Sequence, residues 1–277
     1  MNLLVSGANG LIGSSLVAHL DGKHRMDLLT TAPEQARQRF GAERRCWTWD
    51  DLERDDGQLL SDYDVIINLA GAPIIQRWTA SARRAIRASR VDTTRLITER
   101  IRGAGQADIR LINASSTYVY GYLPDITRQN DHVFDEQSDV NAHAGENFIV
   151  DVCRAWERTL EPLEETRVVK LRIGVVLSSR GGVLQPMIRY ANMGLGGTVG
   201  TGLQPFPWIS ISDAVRAIEF IIDHPELHGP TNIVAPENIT QNRAGRAVGE
   251  LLNKRRRLGM RPSSSGRSMA RWASSPR

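Results

Sequence analysis

Cysteine, lysine and long apolar runs are all scarce in this sequence, and each shortage excludes something. Cys46 and Cys153 are the only cysteines. Two thiols so far apart make neither a disulfide framework nor a metal site, so no metal is expected and a reducing cytoplasm is the expected compartment. No stretch reaches the ~18 uninterrupted apolar residues of a membrane span. The opening Met-Asn-Leu-Leu-Val has no basic segment and no small-residue cleavage site, and reads as mature sequence. Lys23, Lys170 and Lys254 are the only lysines, so chemistry that needs a lysine at a set spacing has few places to stand.

The formal charge of +4 belongs to one end of the chain. From Lys254 to Arg277 there are eight Lys and Arg residues and no Asp or Glu, so the body before that tail is net acidic. The tail is rich in Arg and Ser, without periodicity, and is expected to be disordered. Only Trp272 is available there for base stacking, so nucleic acid is not an expected partner.

Apolar strand-like runs alternate with amphipathic stretches. Strands are expected at Leu3–Ser6, Met26–Thr30, Cys46–Trp49, Asp64–Gly71, Ile109–Ser116 and Arg167–Leu177. Helices are expected at Leu11–Leu20, from Pro33 toward Phe40, and over Thr79–Arg102, Gly145–Leu160 and Ser212–Ile222. On the long helix Ala82, Ile86, Ser89, Thr93, Ile97 and Ile101 share one face, while Arg83, Arg84 and Arg87 read as a solvated one. Strands rich in Ile, Val and Leu without alternation point to a parallel sheet covered on both sides. The fold class is therefore α/β, a doubly wound parallel-sheet Rossmann fold with a small C-terminal substrate lobe. The expected division is a dinucleotide domain over 1–177, rejoined by 209–223, and a lobe over 178–208 and 224–253, followed by the tail at 254–277.

"SGANGLIG" joins the first strand to the first helix. A helix N-terminus carries unpaired N–H groups and partial positive charge, which attract a phosphate. Gly7 permits a tight turn, Gly10 lets backbone approach a pyrophosphate, and Gly13 allows close helix packing. Asn9, Leu11 and Ile12 complete the turn. The spacing is G-x-x-G-x-x-G, not the better-known G-x-G-x-x-G. The second strand ends at Thr30 and Thr31, with neither the acid that suits NAD nor the base that suits NADP; Arg37 and Arg39 follow. "NLAG", Asn68, Leu69, Ala70 and Gly71, ends the fourth strand, where small residues let adenine or ribose lie against backbone.

"NASSTYVYG" ends the fifth strand. A hydroxyl at Ser115 or Ser116 is placed to polarise a substrate carbonyl or alcohol beside a nicotinamide.

With GANGLIG (7–13), NLAG (68–71), SSTYVYG (115–121) and LRIGVVL (171–177), the chain resembles an extended short-chain dehydrogenase/reductase of the nucleotide-sugar epimerase type. It is more narrowly similar to the YfcH-like "epimerase family protein" group, through RWTASARRAIRASRVDTTRLI (77–97), VCRAWE (152–157), RIGVVLSSRGGVL (172–184), GLGGTVGTG (194–202) and GPTNIVAPENIT (229–240). The resemblance implies a nicotinamide dinucleotide cofactor, with Arg172 among the cofactor contacts. It also implies a small-molecule substrate contacted by Arg77, Trp78, Arg90, Gln204 and Trp208. It favours NADP over NAD, although Thr31 stands where an arginine for the 2′-phosphate is expected.

Two further departures matter. The superfamily's Tyr-x-x-x-Lys pair is missing: no tyrosine has a lysine four residues on, and Phe148 and Val152 stand at the expected places. A free tyrosine is ionised only about once in a thousand at neutral pH, so the loss is chemically serious. Tyr118 is the candidate substitute, helped by Arg154 or Arg172, with His132, His143 and Glu146 as other acid/base candidates. Past Asn253 the resemblance implies an ordered substrate-lobe segment, where this chain has its Arg/Ser tail. A shifted reading frame or a decayed end produces such composition, and part of the substrate pocket is then missing. The expected activity is that of an NAD(P)-dependent oxidoreductase or epimerase acting on a small polar or nucleotide-sugar-like substrate. The alternative is a catalytically weak or silent NAD(P)-binding regulatory or redox-sensing protein.

Overall fold

The computed structural model describes residues 1–55, 58–104, 109–121, 133–142, 147–194 and 201–253. His132, His143, Glu146 and the tail at 254–277 lie outside the described residues.

Seven strands form one parallel sheet in the order β10-β6-β5-β4-β1-β2-β3. They are β1 (Asn2–Ser6), β2 (Arg25–Leu29), β3 (Cys46–Trp47), β4 (Val65–Asn68), β5 (Arg110–Ser116), β6 (Val168–Ile173) and β10 (Gly229–Ile233). Leu3, Leu4, Leu28, Leu29, Ile66, Ile67, Leu111 and Ile112 are fully buried, as strands covered on both faces require. Each such side chain contributes roughly 1.5–3 kcal/mol of apolar burial.

The helices follow the expected pattern. α1 (Leu11–Leu20) and α2 (Pro33–Phe40) have the predicted bounds. The short α3 (Trp49–Arg54) and α4 (Gln58–Ser61) lead into β4. Thr48 begins α3 with a reciprocal capping box to Asp51. α5 (Ala80–Gly103) is capped by Thr79, and its buried arc is Ile86, Arg90, Thr94, Ile97 and Ile101. That arc shares Ile86, Ile97 and Ile101 with the predicted stripe, and it takes in one arginine. α6 (Phe148–Arg158) precedes β6, and α8 (Ile211–Asp223) precedes β10. The Arg110 guanidinium closes the C-terminal end of α8 by donating to the carbonyls of Ile221 (2.5 Å), His224 and Leu227, where helix carbonyls favour a cation.

The sequence expectation of one strand over Arg167–Leu177 is corrected. β6 stops at Ile173, and β7 (Val175–Ser178) pairs instead with β8 (Gly181–Gly182) and β9 (Trp208–Ser210) in a second, three-stranded sheet. Gly174 is the break: a Cβ there would overlap the Pro207 carbonyl and stand 3.0 Å from Val234 Cγ1. α7 (Leu184–Asn192) packs with α9 (Gln241–Leu251) in this region.

The chain divides into two compact units: Met1–Ser116, Val152–Ile173 and Ile211–Ile233 form one, and Thr117–Asp151, Gly174–Ser210 and the chain from Val234 form the other. This division differs from the expected one at its boundaries. Residues 117–151, 174–177 and 209–210 fall in the second unit. Residues 224–233 fall in the first, where β10 is the edge strand of the large sheet.

Candidate functional site

Strand order reverses between β1, which pairs with β2 on one side, and β4 on the other. Ligands of open parallel sheets bind at such a switch point, beyond the carboxyl ends of the strands. Both glycine-containing motifs sit there. Gly7 has φ +70°, and a Cβ on it would overlap the Leu69 carbonyl, so the first turn and the NLAG loop are in direct contact. Gly13 serves the turn rather than the sheet: a Cβ on it would overlap the Gly7 carbonyl. Gly10 differs from both. It is exposed, and an added Cβ would meet only the Gly7 carbonyl, at 3.1 Å. It is also the N-cap of α1, and no side chain caps that end. Leu11 and Ile12 are half-buried in the first turn, and Asn9 is exposed. The result is a bare helix mouth of the kind that holds a diphosphate.

The NLAG loop is fixed from beneath. Asn68 is fully buried; its Oδ1 accepts from Ser6 Oγ (2.5 Å), and its Nδ2 donates to Thr94 Oγ1 (2.9 Å) and Asn113 Oδ1 (2.7 Å). Trp156 Nε1 donates to Thr94 as well (2.8 Å). Asn68 therefore shapes the loop through its side chain, while Leu69, Ala70 and Gly71 offer backbone. Arg90, expected on the substrate, has another task. It is buried, donates to the carbonyls of Ala72 and Ile86, and lies over the Trp156 ring at 5.4 Å. A Cβ on Gly71 would stand 3.0 Å from this guanidinium. Arg90 is thus a clamp under the loop, and burial lowers its pKa.

At the end of β2, Thr30 is buried and its Oγ1 accepts from the Ala32 amide (3.1 Å), while Thr31 is exposed. Asp27, the one acid on the strand, is buried and accepts from Tyr63 (2.7 Å), whose hydroxyl in turn accepts from Trp47 Nε1. Burial, followed by the bond to Asp27, raises the Tyr63 pKa.

At the end of β5 two of the expected residues meet a third. Ser115 and Arg172 are register partners on β5 and β6. Ser115 is buried and its hydroxyl donates to Glu157 Oε1 (2.6 Å). Arg172 donates to both oxygens of the same carboxylate, at 3.1 and 2.9 Å. Glu157 thus neutralises Arg172 within the fold. Ser115, expected on the substrate, and Arg172, expected on the cofactor, share one buried carboxylate within the fold. A neutralised arginine is also a weak means of lowering a tyrosine pKa. Ser116, next along the strand, faces the other way; it is half-buried, with Oγ 3.3 Å from the Ile173 carbonyl. Tyr118 lies in a single 3-10 turn, Thr117–Tyr120, and is 39% exposed. On α6, Val152 is buried at the place of the absent lysine, and burial pushes the Cys153 thiol up to about 12. Cys46 is buried too, and its pKa is likewise raised by burial.

Sequence reasoning missed Glu157 and the asparagine network. The signal was present: Asn68 and Asn113 each follow an Ile–Ile or Leu–Ile pair and share one register on adjacent strands.

Of the remaining expected substrate residues, Arg77 is exposed and Trp78 donates to the Ile74 carbonyl (2.9 Å). In the second unit, the Gln204 carbonyl accepts from the Gln241 amide (3.0 Å). Trp208 starts β9, and its Nε1 is buried with no acceptor among the described residues. No group of His, Cys, Asp and Glu among the described residues is gathered as a metal site needs, and none of their helices is long and apolar enough to cross a membrane.

Known proteins are similar to this chain in sequence and in fold. An epimerase family protein of Mycobacterium bovis is 35% identical over 255 residues, covering 90% of this chain and 78% of the relative. A human epimerase family protein, solved with NADPH, superposes with a TM-score of 0.81 at 29% identity, over 99% of this chain and 88% of that one. A nucleoside-diphosphate sugar epimerase from Corynebacterium glutamicum gives 0.71 at 27% identity, over 98% of this chain and 57% of that one. The family model described as the NAD dependent epimerase/dehydratase family matches residues 3–235, a span that includes the glycine turn, the NLAG loop and the end of β5. The chain belongs to the NAD dependent epimerase/dehydratase family.

Proposed function

We propose that the chain is an NAD(P)-dependent oxidoreductase or epimerase-like enzyme of the extended short-chain dehydrogenase type, acting on a small polar or nucleotide-sugar-like substrate. The observation that carries this reading is the uncapped, sterically open mouth of α1 at Gly10, braced against the NLAG loop at the switch point. The amides of Leu11, Ile12 and Gly13 would hold the diphosphate. Thr30 and Thr31 would border the adenosine ribose, and the backbone of Leu69–Gly71 would border the adenine. The relative solved with NADPH supports a nicotinamide cofactor.

When bound, the dinucleotide supplies hydride transfer at its nicotinamide ring. The chain's own part is to orient a substrate and move a proton. Ser116 is the hydroxyl assigned to a substrate oxygen, since Ser115 serves Glu157. Tyr118 is the assigned proton-transfer group. Arg77, Trp78 and Gln204 are assigned to the substrate on family resemblance. Trp208 is assigned as an N–H donor to it, on the unmet Nε1. With no lysine four residues after any tyrosine, the usual means of activating the phenol is missing and turnover is expected to be slow.

Titration with NADPH and NADH, followed by nicotinamide fluorescence, tests the reading: saturable binding of at least one is expected, and binding of neither would sink it. Turnover on sugar nucleotides and simple carbonyls then tests catalysis. Ser116→Ala and Tyr118→Phe should each lower kcat, by about a hundredfold or more, without changing cofactor affinity. The missing Tyr-x-x-x-Lys pair and the internal use of Ser115 favour a second reading, a dinucleotide-binding regulator without turnover. Binding with silence across the substrate panel would select it.

A further inference from the structure

Resting on the reading above, we infer that Arg39 makes this chain selective for the phosphorylated dinucleotide, by pairing with the 2′-phosphate of the adenosine ribose. The strand that ordinarily sets this choice offers nothing for it. Its only acid, Asp27, is buried against Tyr63, and Thr30 is engaged with the Ala32 amide. No carboxylate of β2 therefore remains to take the hydrogens of a free 2′-hydroxyl, which is how NAD is preferred.

The next helix supplies a cation instead. Two arginines lie in the last turn of α2, and they differ. Arg37 is tied to Glu34 at 2.6 Å. Arg39 reaches back across 30 residues of sequence to the glycine turn, where Nη1 donates to the Asn9 carbonyl at 3.3 Å. Its guanidinium also lies 5.1 Å from the centre of the Phe40 ring, a second contact that limits its swing. Arg39 is exposed and has no carboxylate partner among the described residues. The bond to Asn9 uses one of its five N–H donors. A planar guanidinium with donors to spare, held beside the turn that receives the dinucleotide, matches a phosphate in charge and geometry. The loss of the expected arginine at position 31 is thus compensated from α2.

The test uses the full chain, titrated separately with NADPH and NADH, in the wild type and in Arg39→Ala, Arg39→Lys and Arg37→Ala. The wild type should bind NADPH at least about tenfold more tightly than NADH. Arg39→Ala should abolish that ratio by weakening NADPH alone, Arg39→Lys should retain part of it, and Arg37→Ala should leave it unchanged. Matching thermal unfolding would show that the variants are folded, as expected for an exposed side chain. Equal binding of both dinucleotides by the wild type, or a ratio that survives Arg39→Ala, would overturn the inference while leaving the cofactor reading intact. Binding of neither dinucleotide would remove both.

Discussion

The glycine turn and the end of β5 are the two places where a short-chain dehydrogenase does its work, and in this chain they are built on opposite principles. The turn works by omission. Gly7 and Gly13 lack side chains because the backbone of the NLAG loop and of the turn itself occupies the space, and Gly10 lacks one where an added Cβ would meet only the Gly7 carbonyl, at 3.1 Å. At the end of β5, polar groups are instead consumed internally: Ser115 and Arg172 converge on Glu157, and Asn68, Asn113 and Trp156 on Thr94. A site made of backbone keeps its capacity to bind whatever its neighbours become. A site made of side chains is open to engagement by its own neighbours, and here Ser115 donates to Glu157.

The sharpest way to break this contrast is Glu157→Ala, which should remove the buried carboxylate that Arg172 and Ser115 share and cost about 3–5 kcal/mol in urea unfolding at pH 7. A loss below ~1 kcal/mol would mean that the ion pair is not a structural element. Next is Gly10→Asp, predicted to weaken dinucleotide binding by at least about a hundredfold, some 2.7 kcal/mol, through bulk and negative charge at the helix mouth. Its unfolding free energy should change by less than ~1 kcal/mol, because Gly10 is exposed and an added Cβ meets only the Gly7 carbonyl. Gly7→Ala, by contrast, should lose stability as well as binding. Thr94→Val should cost about 1–3 kcal/mol by stranding the Trp156 N–H and an asparagine amide; an unchanged midpoint would show that the network is dispensable.

The smallest effect concerns the far end of α1, where Glu219 of α8 takes Lys23 and His19, at 2.5 and 2.6 Å. The bond from Lys23, then that from His19, lowers the Glu219 pKa from 4.5 to about 2. A depressed carboxyl contributes stability that is fully present above pH 4.5 and lost as pH falls through about 2. Glu219→Gln should therefore cost at most ~1 kcal/mol at pH 6. Its unfolding curve should merge with that of the wild type as pH approaches 2; a constant gap would assign the effect to something else.

Much of the backbone site was legible because its signals are local. Glycine spacing after an apolar run, Pro33 at a helix start and the unbroken Ile, Val and Leu of β4 each follow from neighbouring residues. The rest depends on distant partners. "RIGVVL" reads as one strand because Pro207 and Val234, which crowd Gly174, lie far along the chain. Ser115 and Ser116 look equivalent until Glu157 claims the first. Arg90 looks like its neighbours in "RRAIRASR", yet its spacing of four from Ile86 and Thr94 already put it on the covered arc of α5.

The state of the two thiols carries a practical consequence. Cys46 and Cys153 are both buried, and burial holds both protonated at neutral pH. Oxidants and alkylating reagents attack the thiolate, so the native molecule should be nearly inert to them. The thiols of the native fold are therefore a poor route for any response to oxidants. Labelling by a chromogenic disulfide reagent would serve instead as a clock for how often the sheet opens.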